Sequence, residues 1–142
     1  MKKSTASAVW KGALETGSGS VSTKSGVLKD VPYSFGTRFG EDPGTSPEEL
    51  IAAAHAGCYS MALSFILGLS GITPVSVAAS STVTLDKEGD GFAVKTSHLS
   101  VTARIPGCDR AAFDSAVEAA RTGCPISKLL NADITVEAKL EA

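Results

Sequence analysis

The sequence predicts an α+β fold in which antiparallel sheets pack on one central, apolar helix. Three observations carry this expectation. Residues 50–67 are apolar almost all round, between a start pattern at Ser46-Pro47-Glu48-Glu49 and a stop at Gly68, Gly71 and Pro74. After Pro74 the period changes to two: Val75, Val77, Ala79, Ser81, Val83 and Leu85 alternate with smaller or polar residues. The last segment repeats the alternation, with Ile134, Val136, Ala138 and Leu140 on one face and Thr135, Glu137 and Lys139 on the other. Strands that are dry on one face and wet on the other are expected in antiparallel sheets.

Each element follows from local chemistry. Residues 7–14 and 19–23 read as short strands separated by the turn-rich Glu15-Thr16-Gly17-Ser18. Between residues 30 and 47, Pro32, Gly36, Gly40, Pro43, Gly44 and Pro47 predict a long loop. Ser46 then fits the N-cap of the long helix, Pro47 its first position, and Glu49 the third, which completes a capping box. That helix should run to about Leu69. Two glutamates at its entrance, His55, Ser60 and Ser64 within it, and no flanking Lys or Arg weigh against a membrane span. A helix apolar on every side in so small a protein should be central.

Glu88-Gly89-Asp90-Gly91 turns the chain from the first long strand into a second. There Phe92 and Val94 hold one parity and Leu99, Val101, Ala103 and Ile105 the other, so a bulge is expected near Ser97 and His98. Asp109 caps a helix that buries Phe113, Val117 and Ala120 and closes at Gly123. Pro125 starts a further short helix directly after Cys124.

Composition narrows the function. The 142 residues suit one domain spanning 1–142, with no repeat or linker. Thirteen Lys and Arg against 15 Asp and Glu leave a net charge of −2, the wrong balance for a nucleic-acid partner. Two early lysines have no apolar stretch behind them, so secretion is not expected. Three cysteines without tight spacing point to a cytoplasmic, reduced protein rather than a disulfide scaffold. The core should be thin: 20 residues are Ala and only eight are aromatic. Close packing or a partner chain must make up the difference.

Candidate chemistry centres on the cysteines. Cys58, mid-helix, reads as a small buried core residue or, with a cation supplied from elsewhere, as a reactive thiol. Cys124 stands at a helix start, where free N–H groups favour a thiolate, though an ordinary cap-region role fits too. Cys108 lies in a turn and is assigned no role. His55, three residues before Cys58, shares its helical face. The pair fits a metal site, a Cys–His dyad or a core or interface histidine, and with no local carboxylate to orient the ring and no third ligand nearby the core or interface reading is preferred. His98 stands alone and points to no chemistry.

Four stretches carry a family resemblance: Val21-Ser22-Thr23-Lys24-Ser25-Gly26, Phe35-Gly36-Thr37-Arg38-Phe39, residues 47–58 including Glu49-Leu50-Ile51 and Ala54-His55-Ala56-Gly57-Cys58, and Gly123-Cys124-Pro125-Ile126-Ser127. Together they resemble the OsmC/Ohr family of thiol peroxidases over almost the whole chain, and within it the osmotically inducible, peroxiredoxin-like OsmC branch. The resemblance implies an intertwined homodimer and a stress-response antioxidant activity, the reduction of organic hydroperoxides to alcohols. It also implies roles: Cys58 peroxidatic, Cys124 resolving, and Arg38 with Glu49 as the pair that activates Cys58. The expected partners are a hydroperoxide substrate and a thiol reductant, either a dithiol or a lipoylated protein. No cofactor, metal, nucleic acid or membrane is implied.

The chemistry of those residue types agrees. A free thiol is only about 3% ionised at pH 7, and a nearby guanidinium lowers such a pKa by about 1–3 pH units. Apolar neighbours Met61, Leu63 and Phe65 are expected to form a greasy mouth suited to alkyl or lipid hydroperoxides. Glu49 and Cys58 are nine residues apart, about 13.5 Å of helical rise and half a turn of rotation. Arg38 and Glu49 are therefore expected to serve the Cys58 of a partner subunit. The rival expectation from another class is a non-enzymatic dimer whose groove binds a small molecule, with Cys58 merely core; a metal-dependent hydrolase built on His55 and Cys58 is a more distant third.

Overall fold

The computed structural model describes residues 1–142, which divide into two compact units, Met1–Leu50 and Ile51–Ala142. In the first, β1 (Ala6–Lys11), β2 (Ser18–Thr23) and β3 (Val31–Tyr33) form an antiparallel sheet in the order β1-β2-β3. Gly19 lies opposite Trp10 on one side and Tyr33 on the other. A β-carbon there would stand 2.6 Å from both rings, so only glycine lets them meet across β2, at a centroid separation of 5.5 Å. The stretch expected to be a long loop is partly ordered structure. It holds β3 and α1 (Phe35–Phe39), a short helix opened by a Ser34–Thr37 capping box that the dense Gly and Pro punctuation concealed.

The long helix α2 (Pro47–Leu69) begins and ends where its caps predict. The second unit builds on the rest of it. β4 (Ser76–Glu88) and β5 (Gly91–Arg104) form a hairpin through the two-residue turn Gly89-Asp90, with Gly89 at φ 59°. The expected bulge exists, but the register shifts between Thr84 and Leu85, opposite Lys95, two residues before the predicted place. The parity of Ser97, Leu99, Val101 and Ala103 is thereby unbroken, and all four are buried.

One expectation is corrected. The sheet order is β4-β5-β6, and β6 (Asp133–Glu141) pairs with β5 in parallel. The reason lies in the connection. α3 (Arg110–Gly123) and α4 (Pro125–Leu129) intervene, and this helical crossover carries the chain from the end where β5 finishes back toward the end where it began. Alternating polarity reports a half-wet sheet but not strand direction.

The core belongs to the second unit. Tyr59, Leu63 and Leu67 of α2 meet Leu99, Val101 and Ala103 of β5 and Phe113, Ala116 and Ala120 of α3. Val117, expected among the buried residues of α3, packs only at the margin of this cluster. By length and composition α2 would suffice to cross a membrane. Its spacing of four between buried residues instead gives it one side that packs against β5 and α3. The opposite side takes no part in that core. Ala54, Gly57, Met61, Phe65 and Gly68 form an exposed stripe, with Met61 77% and Phe65 68% accessible.

Candidate functional site

Two thiols separated by 66 positions in sequence meet in space: the Cys58 and Cys124 sulfurs are 2.8 Å apart. The fold brings them together from opposite directions. Cys58 sits mid-way along α2, partly accessible, one turn before Ala62, which packs against the core from its margin. Cys124 is fully buried and joins α3 to α4: its N–H still bonds the Ala120 carbonyl, while Pro125 opens the next helix. Pro125 forbids α3 from running on, and that break aims the thiol at α2. Cys108 lies apart from this pair, its thiol donating to the Asp109 carbonyl at 3.4 Å.

Burial pushes the Cys58 thiol above its ordinary value. The hydrogen bond with the neighbouring Cys124 sulfur adds to the effect, a hydrogen bond to the Ile126 backbone works the other way, and repulsion between two adjacent thiolates adds a smaller upward push. None of these influences is a cation. Such a cysteine at rest is protonated, and a guanidinium brought to it would have most of the work of ionisation to do.

Arg38 is organised in advance, though not by the residue the family resemblance implied. Its guanidinium forks onto Glu48: Nε donates to Oε1 and Oε2 at 3.0 and 3.3 Å, and Nη2 donates to Oε1 at 2.8 Å. The Arg38–Glu49 pair is therefore corrected to Arg38–Glu48. Glu49 is occupied with the helix start: its N–H donates to the Ser46 hydroxyl at 3.1 Å, and its carboxylate accepts from Thr45 at 2.9 Å. Two acids in succession on a helix point about 100° apart, so the one that best fits a capping box is the one turned away from α1. The Glu48 carboxylate is nearly buried, whereas the guanidinium is 37% accessible. One donor edge of the fork is thus left toward the exterior.

Sequence reasoning also passed over a polar line inside the core. His55 is fully buried, with Nδ1 2.6 Å from the Ser97 hydroxyl and Nε2 2.7 Å from the Ser127 hydroxyl. Ser97 in turn lies 2.9 Å from Ser81. Burial lowers the His55 pKa, which favours the neutral ring, one nitrogen donating and the other accepting. The available signal was the spacing: Ser127 follows Cys124 by the same three residues by which His55 precedes Cys58. No cluster of three or more His, Cys, Asp or Glu side chains is placed to hold a metal, so the His55–Cys58 metal reading finds no third ligand. Of the residues expected at a greasy mouth, Met61 and Phe65 are exposed, but Leu63 is wholly in the core.

Comparison with known proteins gives a consistent result. A family model described as OsmC-like protein matches residues 40–139. The chain is 47% identical over 133 residues to Peroxiredoxin OsmC of Escherichia coli strain K12, covering 94% of this chain and 93% of that protein. It is 30% identical over 114 residues to the Organic hydroperoxide resistance protein-like 2 of Staphylococcus epidermidis, covering 79% and 77%. Among solved structures, the Organic Hydroperoxide Resistance Protein OhrB of Bacillus subtilis superposes with a TM-score of 0.70 at 27% identity, over 95% of this chain and 98% of that one.

Proposed function

The chain belongs to the OsmC-like protein family, and from that membership we propose that it reduces organic hydroperoxides through a thiol cycle run by Cys58 and Cys124. It is a thiol-dependent peroxidase, an antioxidant oxidoreductase of the peroxiredoxin kind. The observation that carries the mechanism is the 2.8 Å contact between two thiols, one partly accessible and one buried, from distant parts of the chain.

In the proposed cycle the Cys58 thiolate attacks the terminal oxygen of ROOH. The O–O bond breaks, RO⁻ leaves and takes up a proton to depart as the alcohol, and Cys58 becomes a sulfenic acid. The Cys124 sulfur then attacks the Cys58 sulfur; the S–O bond breaks and the hydroxyl leaves as water with the Cys124 proton. The disulfide is reopened by an external thiol reductant, a dithiol or a lipoylated protein, in the reducing cytoplasm.

Arg38 supplies the cation that the surroundings of Cys58 lack, with Glu48 aiming it. A guanidinium favours the thiolate and the developing charge on the leaving oxygen, and it cannot be deprotonated away. Glu48 precedes Cys58 by ten residues, about 15 Å of rise on one helix. That separation supports service in trans, Arg38 and Glu48 of one subunit acting on Cys58 of another. The exposed Met61–Phe65 stripe of α2 supports such a homodimer, because an unbroken row of apolar and small side chains invites a second copy.

Mass spectrometry after one equivalent of cumene hydroperoxide tests the reading. It should find Cys58 crosslinked to Cys124 and Cys108 free. An unmodified Cys58 after such a pulse would leave a non-enzymatic small-molecule binder as the better account.

A further inference from the structure

Two contacts join α2 to α4, and they form a register. Cys58 meets Cys124 at 2.8 Å; three residues back along α2 and three forward along α4, His55 meets Ser127 at 2.7 Å. The helices therefore run antiparallel across this seam, with one rung of sulfur and one of hydrogen bonding. The second rung is braced: the other nitrogen of His55 reaches Ser97 on β5, which reaches Ser81 on β4. α4 itself is five residues long, too short to hold a place by its own helical stability. Ser127 is its one buried residue, and its hydroxyl rests on His55.

We propose that His55 is the positioning residue of the thiol pair, anchoring Ser127 so that α4 holds Cys124 against Cys58 once Cys58 has been oxidised. The inference rests on the thiol cycle above. Oxidation puts an oxygen on a sulfur that starts in contact with Cys124, and condensation requires the Cys124 thiol to keep its place opposite the S–O bond that breaks. If α4 drifts, a second hydroperoxide reaches the sulfenic acid first, transfers an oxygen, leaves as alcohol and produces the irreversible sulfinic acid. His55 thus acts on the competition between condensation and overoxidation, without touching the substrate. A line of four satisfied polar side chains through an apolar core fixes position more sharply than apolar packing, since any shift leaves a buried group unpaired.

The test separates the two steps by quenched-flow mass spectrometry on the full chain with cumene hydroperoxide. In glutamine the terminal amide takes the place of the ring Nε2, and in asparagine that of Nδ1. His55→Gln should retain the Ser127 rung and condense within about threefold of the native rate. His55→Asn and Ser127→Ala should slow condensation about tenfold or more and accumulate sulfinic acid, with sulfenic acid formation within about twofold of native. A purely stabilising histidine would show no such order between Gln and Asn. Equal condensation in native protein, His55→Asn and Ser127→Ala would overturn the proposal. Should the His55 variants fail to fold, Ser127→Ala, which deletes one oxygen, decides it alone. If the native protein forms no sulfenic acid, the thiol cycle falls; the positioning role is then decided in glutathione redox buffers. There His55→Asn and Ser127→Ala should move the Cys58–Cys124 equilibrium about tenfold toward the dithiol, and an unmoved equilibrium would refute it.

Discussion

Glu48 and Glu49 are chemically identical neighbours whose surroundings give them different tasks. Glu48 holds Arg38 through three contacts, and Glu49 ties Thr45 and Ser46 to the helix start. Neutralising each should separate the roles. Glu48→Gln loses the charged half of a fork that aims a guanidinium, and peroxidase turnover should fall about tenfold or more. Glu49→Gln should leave turnover nearly unchanged and cost about 1 kcal/mol or less of stability in denaturant unfolding. A larger loss of turnover in Glu49→Gln would restore it to the activating pair. At this scale the sequence was legible where interactions are local: Ser46 and Asp109 cap the helices they were expected to cap. The partner of Arg38 was not, because Arg38 lies on an unanticipated helix, ten positions before Glu48.

Among the elements, periodicity located the long segments α2, β4 and β5, and even the need for a bulge. It did not reveal that β6 runs parallel, since direction is set by the crossover through α3 and α4 and not by the strand's own pattern. Nor did it distinguish the two sides of α2. The helix is central, as a helix apolar all round was expected to be, with its His55, Tyr59, Leu63, Leu67 side buried. The remaining stripe carries a prediction. In the homodimer proposed above it is an interface, so Phe65→Lys should convert a sedimenting dimer into a monomer and abolish turnover while leaving the chain folded by circular dichroism. A monomeric native protein with full turnover would remove the second subunit from the mechanism.

For the molecule as a whole, the thin core foreseen from alanine content has a location. The ten fully enclosed apolar residues of the core cluster lie in the second unit, while the most buried side chain of the first is an acid, Glu48. Stability should accordingly follow the polar line through that core. Folded His55 resists protonation, its pKa lying below the ordinary 6.5 because it is buried. The unfolded chain takes up this proton as pH falls through about 6.5 and the folded chain does not, so the contribution is complete above that pH and lost below it. The melting temperature should decline as pH drops from about 7.5 to 5.5, and less so in His55→Gln; parallel curves would show that His55 titrates alike in both states. The thiol contact has one further consequence, for the lifetime of the protein. A bond between sulfurs 66 positions apart would enclose β4, β5 and α3 in a covalent ring. By chain entropy, such a ring makes unfolding about 4 kcal/mol harder. A molecule that has spent its thiols and awaits reductant is then the one proteases open least readily, and each act of re-reduction returns it to service and to ordinary turnover together.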